Sequence, residues 1–348
     1  MHGVRIVQLC VPVVAAYYRH DTCGQISDKK IIQMKTLVIS QAPHIHSPNT
    51  TAGAMRHVVI ALLPALAVGL WWFGLSAAVV VGGAALSCMA FEWAISRFMM
   101  GRKVSFFAWA PLVTGLLLGM NLPAGLPVWT VVIGSLIAIG IGKMAFGGLG
   151  CNIFNPALVG RVFLLLSFPA LMTSWPLAGE GRLSLADAAT GATPLMLAKQ
   201  GMIPDRAMIL DELAGSVGGS LGEVGAIAIL IGLAYLLVVR VITWHIPVAV
   251  ILSVGVMSWL TGGNPLFDVV SGGVLLGAVF MATDYVTSPM TRRGQLIYGV
   301  MIGVITIIIR RWGVYPEGVS FAILVMNGAT PLINRYVMPR RQVERRCA

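Results

Sequence analysis

Ten apolar stretches follow one another between residues 56 and 334, each close to the length that a lipid hydrocarbon core demands. A core ~30 Å thick takes about 20 helical residues at 1.5 Å each, and lipid offers no partner to an unpaired backbone amide. The stretches lie near 56–74, 76–98, 104–121, 126–143, 155–173, 223–240, 244–261, 267–284, 295–311 and 317–334. Only 11% of the residues are charged, against about a quarter in a soluble domain, and lipid accounts for the difference. The expected fold is an all-α polytopic membrane protein with about ten transmembrane helices.

Five stretches precede a long polar connection and five follow it. An odd number per half makes two such repeats inverted, a plan common in transport proteins. The chain divides into an extension at 1–50, a first five-helix half at 51–173, a connection at 174–222, a second half at 223–336 and a basic tail at 337–348. The extension is expected to be poorly ordered. Its apolar run at 6–18 contains Pro12 and is too short to span.

The formal charge of +11 reads as cytoplasmic loop charge rather than a nucleic-acid surface. With the N-terminus in the cytoplasm, the inside loops hold Arg56, Arg97, Arg102, Lys103, Lys143, Arg240, Arg292 and Arg293, and Arg335 and the tail add five more arginines. The turns at 74–76, 121–127 and 261–267 carry no Lys or Arg. Arg310-Arg311 is the exception that this arrangement places outside. The positive-inside rule thus predicts an inner-membrane protein with both termini cytoplasmic and the 174–222 connection on the outer face.

Cofactor chemistry has few places to sit. Cys10, Cys23, Cys88, Cys151 and Cys347 form no CxxC, so no iron–sulfur ligand set is expected. No glycine fingerprint for a dinucleotide follows a strand. The connection does contain Asp187-Ala188-Ala189-Thr190-Gly191-Ala192-Thr193-Pro194. On composition this is a turn leading into a helix. It also resembles the attachment signal for phosphoester-linked FMN, an acidic residue followed by Ser-Gly-Ala-Thr. In that register Thr193 is the attached residue and Asp187 the upstream acid. Gly191 and Ala192 keep the backbone slim enough to enter a transferase. Thr190 stands where the pattern has Ser and adds a second hydroxyl. Gly328-Ala329-Thr330-Pro331 repeats four of the letters, but it lacks the acid and lies within the last apolar stretch.

Two further segments interrupt the apolar stretches. Between the fourth and fifth, Phe146-Gly147-Gly148-Leu149-Gly150-Cys151-Asn152-Ile153-Phe154-Asn155-Pro156 places Asn152 and Asn155 three apart at a helix start. Amides are costly in lipid and must face protein, ligand or water. They serve either as helix caps or as the polar edge of a pocket for a planar ring, since an amide both donates and accepts. After the eighth stretch, Thr283-Asp284-Tyr285-Val286-Thr287-Ser288-Pro289 sets Asp284 at a span end, as an anchor or as a functional acid.

The blocks at 147–169, 187–195, 282–299 and 315–327 together resemble the D-type subunit (RnfD) of the Rnf electron-transport complex. Its relative is the B-type subunit of the Na+-translocating NADH:quinone reductase. The likeness covers about residues 35–337. It implies FMN on Thr193, a separate flavin transferase, and a second, non-covalent flavin such as riboflavin. It also implies a complex that moves electrons between ferredoxin and NAD with Na+ or H+ transport. NAD and iron–sulfur chemistry then belong to partner subunits. The second flavin is expected near Asn152, Asn155 and Asp284. The rival reading is a transporter or channel whose five-plus-five helices line a substrate path, without a redox role.

Overall fold

The computed structural model describes residues 50–101, 105–176, 190–202, 204–223, 225–315 and 317–337. Of the 1–50 extension all but Thr50, of the 337–348 tail all but Val337, and Asp187 lie outside the described residues.

The first two apolar stretches run as one helix, α1 (Thr51–Ala94), of 44 residues. A straight helix of that length would measure about 66 Å, twice the hydrocarbon thickness. Gly74 breaks it with φ 63° and ψ −138°, a conformation closed to residues with a Cβ. The break falls where the sequence separates the two stretches. There follow α2 (Trp109–Met120), α3 (Val128–Gly140), α4 (Pro156–Ser167) and the single turn α5 (Pro169–Met172).

The connection contributes a strand pair, β1 (Trp175–Pro176) against β2 (Thr190–Gly191), and two short helices, α6 (Pro194–Lys199) and α7 (Arg206–Ala214). The second half comprises α8 (Ala226–Val238), α9 (His245–Leu260), α10 (Pro265–Val270), α11 (Val274–Leu276), α12 (Arg292–Trp312) and α13 (Val319–Val337). Apart from the strand pair the described fold is helical, as the apolar pattern predicts.

Several helices are shorter than the apolar stretches imply. Among the described residues, three helical stretches are long and apolar enough to cross a membrane: 51–99, 128–146 and 292–312. α2 and α4 have 12 residues each, about 18 Å. Proline sets these limits: Pro156 starts α4, Pro169 restarts the chain after it, and Pro123 follows α2. The eighth stretch is not continuous. Gly272 and Gly273 adopt φ 69° and 68°, separating α10 from α11, which then runs into a π-helical turn at Gly277–Met281.

Packing occurs mainly within each half, α1 against α2 and α3, and α9 against α12. Gly115 and Gly119 sit four apart where α2 crosses α1. A Cβ on Gly115 would lie 2.5 Å from Ala85 Cα, and one on Gly119 2.8 Å from Val81 Cα. This is the small-residue packing that lipid-embedded helices use for close approach. The halves meet where α1 packs on α8 and α4 on α13.

The connection docks on one end of this bundle. Lys199 Nζ donates to the carbonyls of Gly313 (2.5 Å) and Val314 (3.0 Å), just past the C-terminus of α12. Leu195, Ile209 and Phe267 form a small buried cluster beneath it. The other end of α12 adjoins the Asp284 segment, 21 residues or about 30 Å away. Thr193 and Asp284 therefore lie at opposite ends of the bundle.

The Arg310-Arg311 exception to the charge rule has a local cause. Arg310 is buried and donates to the carbonyls of Asp268 (2.6 Å) and Ser271 (2.8 Å) at the end of α10. Arg311 pairs with the Asp268 carboxylate at 2.7 Å. Both guanidinium groups are committed to the fold rather than left free to set orientation. Reporter fusions placed after Lys199 and after Arg346 are expected to report opposite sides. Matching readings would mean an even number of crossings between them and would overturn the arrangement.

Candidate functional site

Thr193 is the N-cap of α6. Its Oγ1 accepts from Met196 N at 3.2 Å, and Pro194 occupies the first helical position, where its missing N–H costs nothing. The side chain is 6% exposed. It faces a small cavity whose walls include Gly215, Gly218, Gly219 and Gly272, together with the carboxylates of Glu212 and Glu223. Four glycines leave backbone rather than side chains around the hydroxyl, but the cavity is small and lined by two carboxylates and no cation, so it does not suit a phosphoester while the segment is docked. Gly191 is half-buried in β2 and Ala192 is exposed. Thr330, in the repeated four-letter motif, lies within α13 and donates to Thr287 O at 2.8 Å.

At the opposite end, Asn152, Asn155 and Asp284 line one cavity, although 129 residues or more separate the asparagines from the acid. Asn155 caps α4, its Oδ1 accepting from Ala157 N at 3.1 Å, and its Nδ2 donates to Met281 O at 3.2 Å. That second bond fastens α4 to the π-helical turn of the other half. Asn152 donates to Phe154 O at 3.1 Å and lines the same cavity as the Asp284 carboxylate. Asp284 accepts from Thr287 Oγ1 at 3.3 Å. The three residues are thus both caps and cavity lining.

Apolar side chains of Val113, Leu117, Leu236 and Phe280 complete the walls. An apolar slot with convergent polar groups on one side suits a flat heteroaromatic ligand. The cavity also contains a cation that the charge pattern assigns only to a loop. Lys143 lines it and is 2% exposed, held by Glu92 at 2.5 Å. An acid within an apolar stretch is the sequence signal for this pair.

Between the two ends lies a buried charge network that no local motif announces. Arg161 of α4 pairs with Glu317, which precedes α13, and donates to Asn121 Oδ1 at 2.5 Å. Glu223 Oε1 lies 4.0 Å from it. Asn121 and Arg161 come from the first half, Glu223 and Glu317 from the second, so the network ties the halves together. Asn121 Nδ2 also approaches Met281 Sδ at 3.8 Å, next to the carbonyl that receives Asn155.

Fold and sites together define a polytopic helical membrane protein with a polar cavity at each end of the bundle and a buried ion network between them. The chain belongs to the NQR2, RnfD, RnfE family, whose model matches residues 38–342. It is 46% identical over 306 residues to the D-type subunit of the Na+-translocating ferredoxin:NAD+ oxidoreductase complex of Acetobacterium woodii, covering 87% of this chain and 94% of the relative. It is 38% identical to the D-type subunit of the proton-translocating ferredoxin:NAD+ oxidoreductase complex of Clostridium ljungdahlii, covering 88% and 96%. A third relative is the D-type subunit of the ion-translocating oxidoreductase complex of Stutzerimonas stutzeri, 41% identical over 82% and 90% of the two chains.

Proposed function

We propose that this chain is the D-type membrane subunit of an ion-translocating ferredoxin:NAD+ oxidoreductase. In this reading it carries FMN on Thr193 and a second, non-covalent flavin, riboflavin or a close analogue, against Asn152, Asn155 and Asp284. The observation that carries the reading is the Asp-x-x-Thr-Gly-Ala-Thr sequence ending at Thr193, which caps a helix at one end of a family-matched bundle. The family and its relatives support an oxidoreductase subunit over the channel alternative, which has no use for a flavin acceptor.

Flavin at these positions supplies electron-carrier chemistry, and the protein supplies position and electrostatics. Thr193 contributes the oxygen of the phosphoester, formed by a separate transferase. Because that hydroxyl is buried and caps α6, the segment has to undock for the transferase to reach it. Asn152 and Lys143 offer donors to ring carbonyls, and Asp284 accepts from ring or side-chain donors. Asn155 acts largely by holding α4 to Met281. The remaining subunits of the complex supply the iron–sulfur and nicotinamide sites, and the assembly moves Na+ or H+ across a bacterial inner membrane.

Fluorescence of the chain in a denaturing gel tests the covalent flavin. Asn155→Ala and Asp284→Ala test the other site. Losing a buried hydrogen bond to a ligand costs about 1–3 kcal/mol, up to roughly a hundredfold in affinity. Both variants are expected to lose acid-extractable flavin on purification while the gel signal persists. Full retention of extractable flavin in both would remove the second site.

A further inference from the structure

Two cavities flank α6, and they differ in size and in charge. The one beneath Thr193 has a volume of ≈ 10 Å³, room for about one water. Its charged walls are the carboxylates of Glu212 and Glu223. Arg310 lies behind Gly272, bound to the carbonyls of Asp268 and Ser271. A phosphoester on Thr193 would set its negative charge against two buried carboxylates, and a flavin ring has no space beside them. The seat fits the free hydroxyl and not the ester.

The other cavity opens at the C-terminal end of α6, between the 198–204 segment and the turn that joins α9 to α10. Its volume is ≈ 580 Å³, within the range of pockets that hold cofactor-sized ligands. Met202, Pro265 and Phe267 give it apolar walls, and Asn264, Asp268 and Arg311 give it a polar edge. The Asp268 carboxylate accepts from Arg311 Nη2 at 2.7 Å and from Ser258 Oγ at 2.5 Å. The other donors of Arg311, on Nη1 and Nε, have no partner among the described residues. With Arg310 and Arg311 against Asp268, this side carries one positive charge in excess.

We propose that this cleft receives the flavin carried by Thr193, with Arg311 as the donor to its ring carbonyls. The proposal rests on FMN at Thr193. The reach is sufficient. α6 has six residues, about 9 Å of helix, and a ribityl phosphate arm is of comparable length. A ring tethered at the N-cap therefore arrives at the cleft beside the other end. Lys199 pins that end to the carbonyls of Gly313 and Val314, and Gly201, with φ 98°, turns the chain into the cleft wall. Only the Thr193 turn has to leave its seat. Repulsion from Glu212 and Glu223 favours that exit, and the bond from Met196 N to Thr193 Oγ1 is given up.

Hydrogen–deuterium exchange of the intact complex, purified from hosts with and without the flavin transferase, tests the assignment. Loading is expected to slow exchange at residues 261–264 about tenfold or more and to speed it at Met196, whose N–H loses its acceptor. Denaturing-gel fluorescence of each variant establishes that flavin is attached. Arg311→Met should remove most of the difference between loaded and unloaded protein at 261–264, and Arg311→Lys, which keeps a donor and the charge, should retain part of it. Ala198→Trp fills the cleft, leaves the Arg311–Asp268 pair in place and should remove the difference altogether. With flavin attached, equal exchange at 261–264 in loaded and unloaded parent protein overturns the proposal. So does a difference that survives either Arg311→Met or Ala198→Trp. A parent protein that shows no gel fluorescence after expression with the transferase sinks the attachment reading instead.

Discussion

Thr193→Val is expected to abolish covalent flavin, taking denaturing-gel fluorescence from a full signal to none, while the protein still inserts and assembles. Valine matches threonine in shape but lacks the oxygen that forms the ester. The substitution also removes the α6 N-cap, a loss of about 1 kcal/mol. That cost is tolerable because Pro194 remains at the first helical position and Leu195 remains anchored beside Ile209 and Phe267. The gel signal therefore reports chemistry rather than collapse of the segment. Persisting fluorescence would move the assignment to Thr190, three residues upstream.

The second large effect concerns stability. Arg161→Met leaves the half-buried Glu317 and the buried Glu223 without their cation. Removing one partner of a buried ion pair costs about 3–5 kcal/mol, because the remaining charge stays uncompensated. The variant is expected to show a strongly lowered unfolding temperature in detergent and poor recovery as a single species. Arg161→Met combined with Glu317→Gln should recover part of the loss, since the more closely paired of the two orphaned charges is gone. A double variant less stable than Arg161→Met alone would show that the two side chains do not act as a pair.

The parts of this molecule that sequence makes legible are those encoded locally. The break between the first two spans shows as the Gly74 turn because only glycine takes that backbone conformation. Thr193 is proposed from its register with its neighbours, and the four-letter repeat at Thr330, set aside because it lies inside a span, is contained in α13. Asn152, Asn155 and Asp284 stand out separately as polar residues at helix breaks, and the fold brings them to one cavity.

What escapes a reading of the sequence depends on long-range geometry. Arg161 reaches Glu317 across 156 positions and Asn121 across 40, and no periodicity links such residues. An arginine inside an apolar stretch signals that a partner must exist without saying which. Span eight reads as continuous because Gly272 and Gly273 are ordinary in membrane helices, whereas here their positive φ angles divide α10 from α11. Asn155 illustrates a different limit: capping and pocket-lining are alternatives in the sequence, but one amide performs the first and is positioned for the second.

The central claim, FMN esterified to Thr193, is tested most directly by peptide mapping of the protein purified from a host that has the flavin transferase. Cleavage after Arg182 and Lys199 releases a peptide containing Ser184, Thr190 and Thr193. The account predicts that this peptide carries the mass of FMN less one water, with fragmentation placing the addition on Thr193. A peptide recovered only at its unmodified mass, or one modified on Thr190 or Ser184, would contradict it.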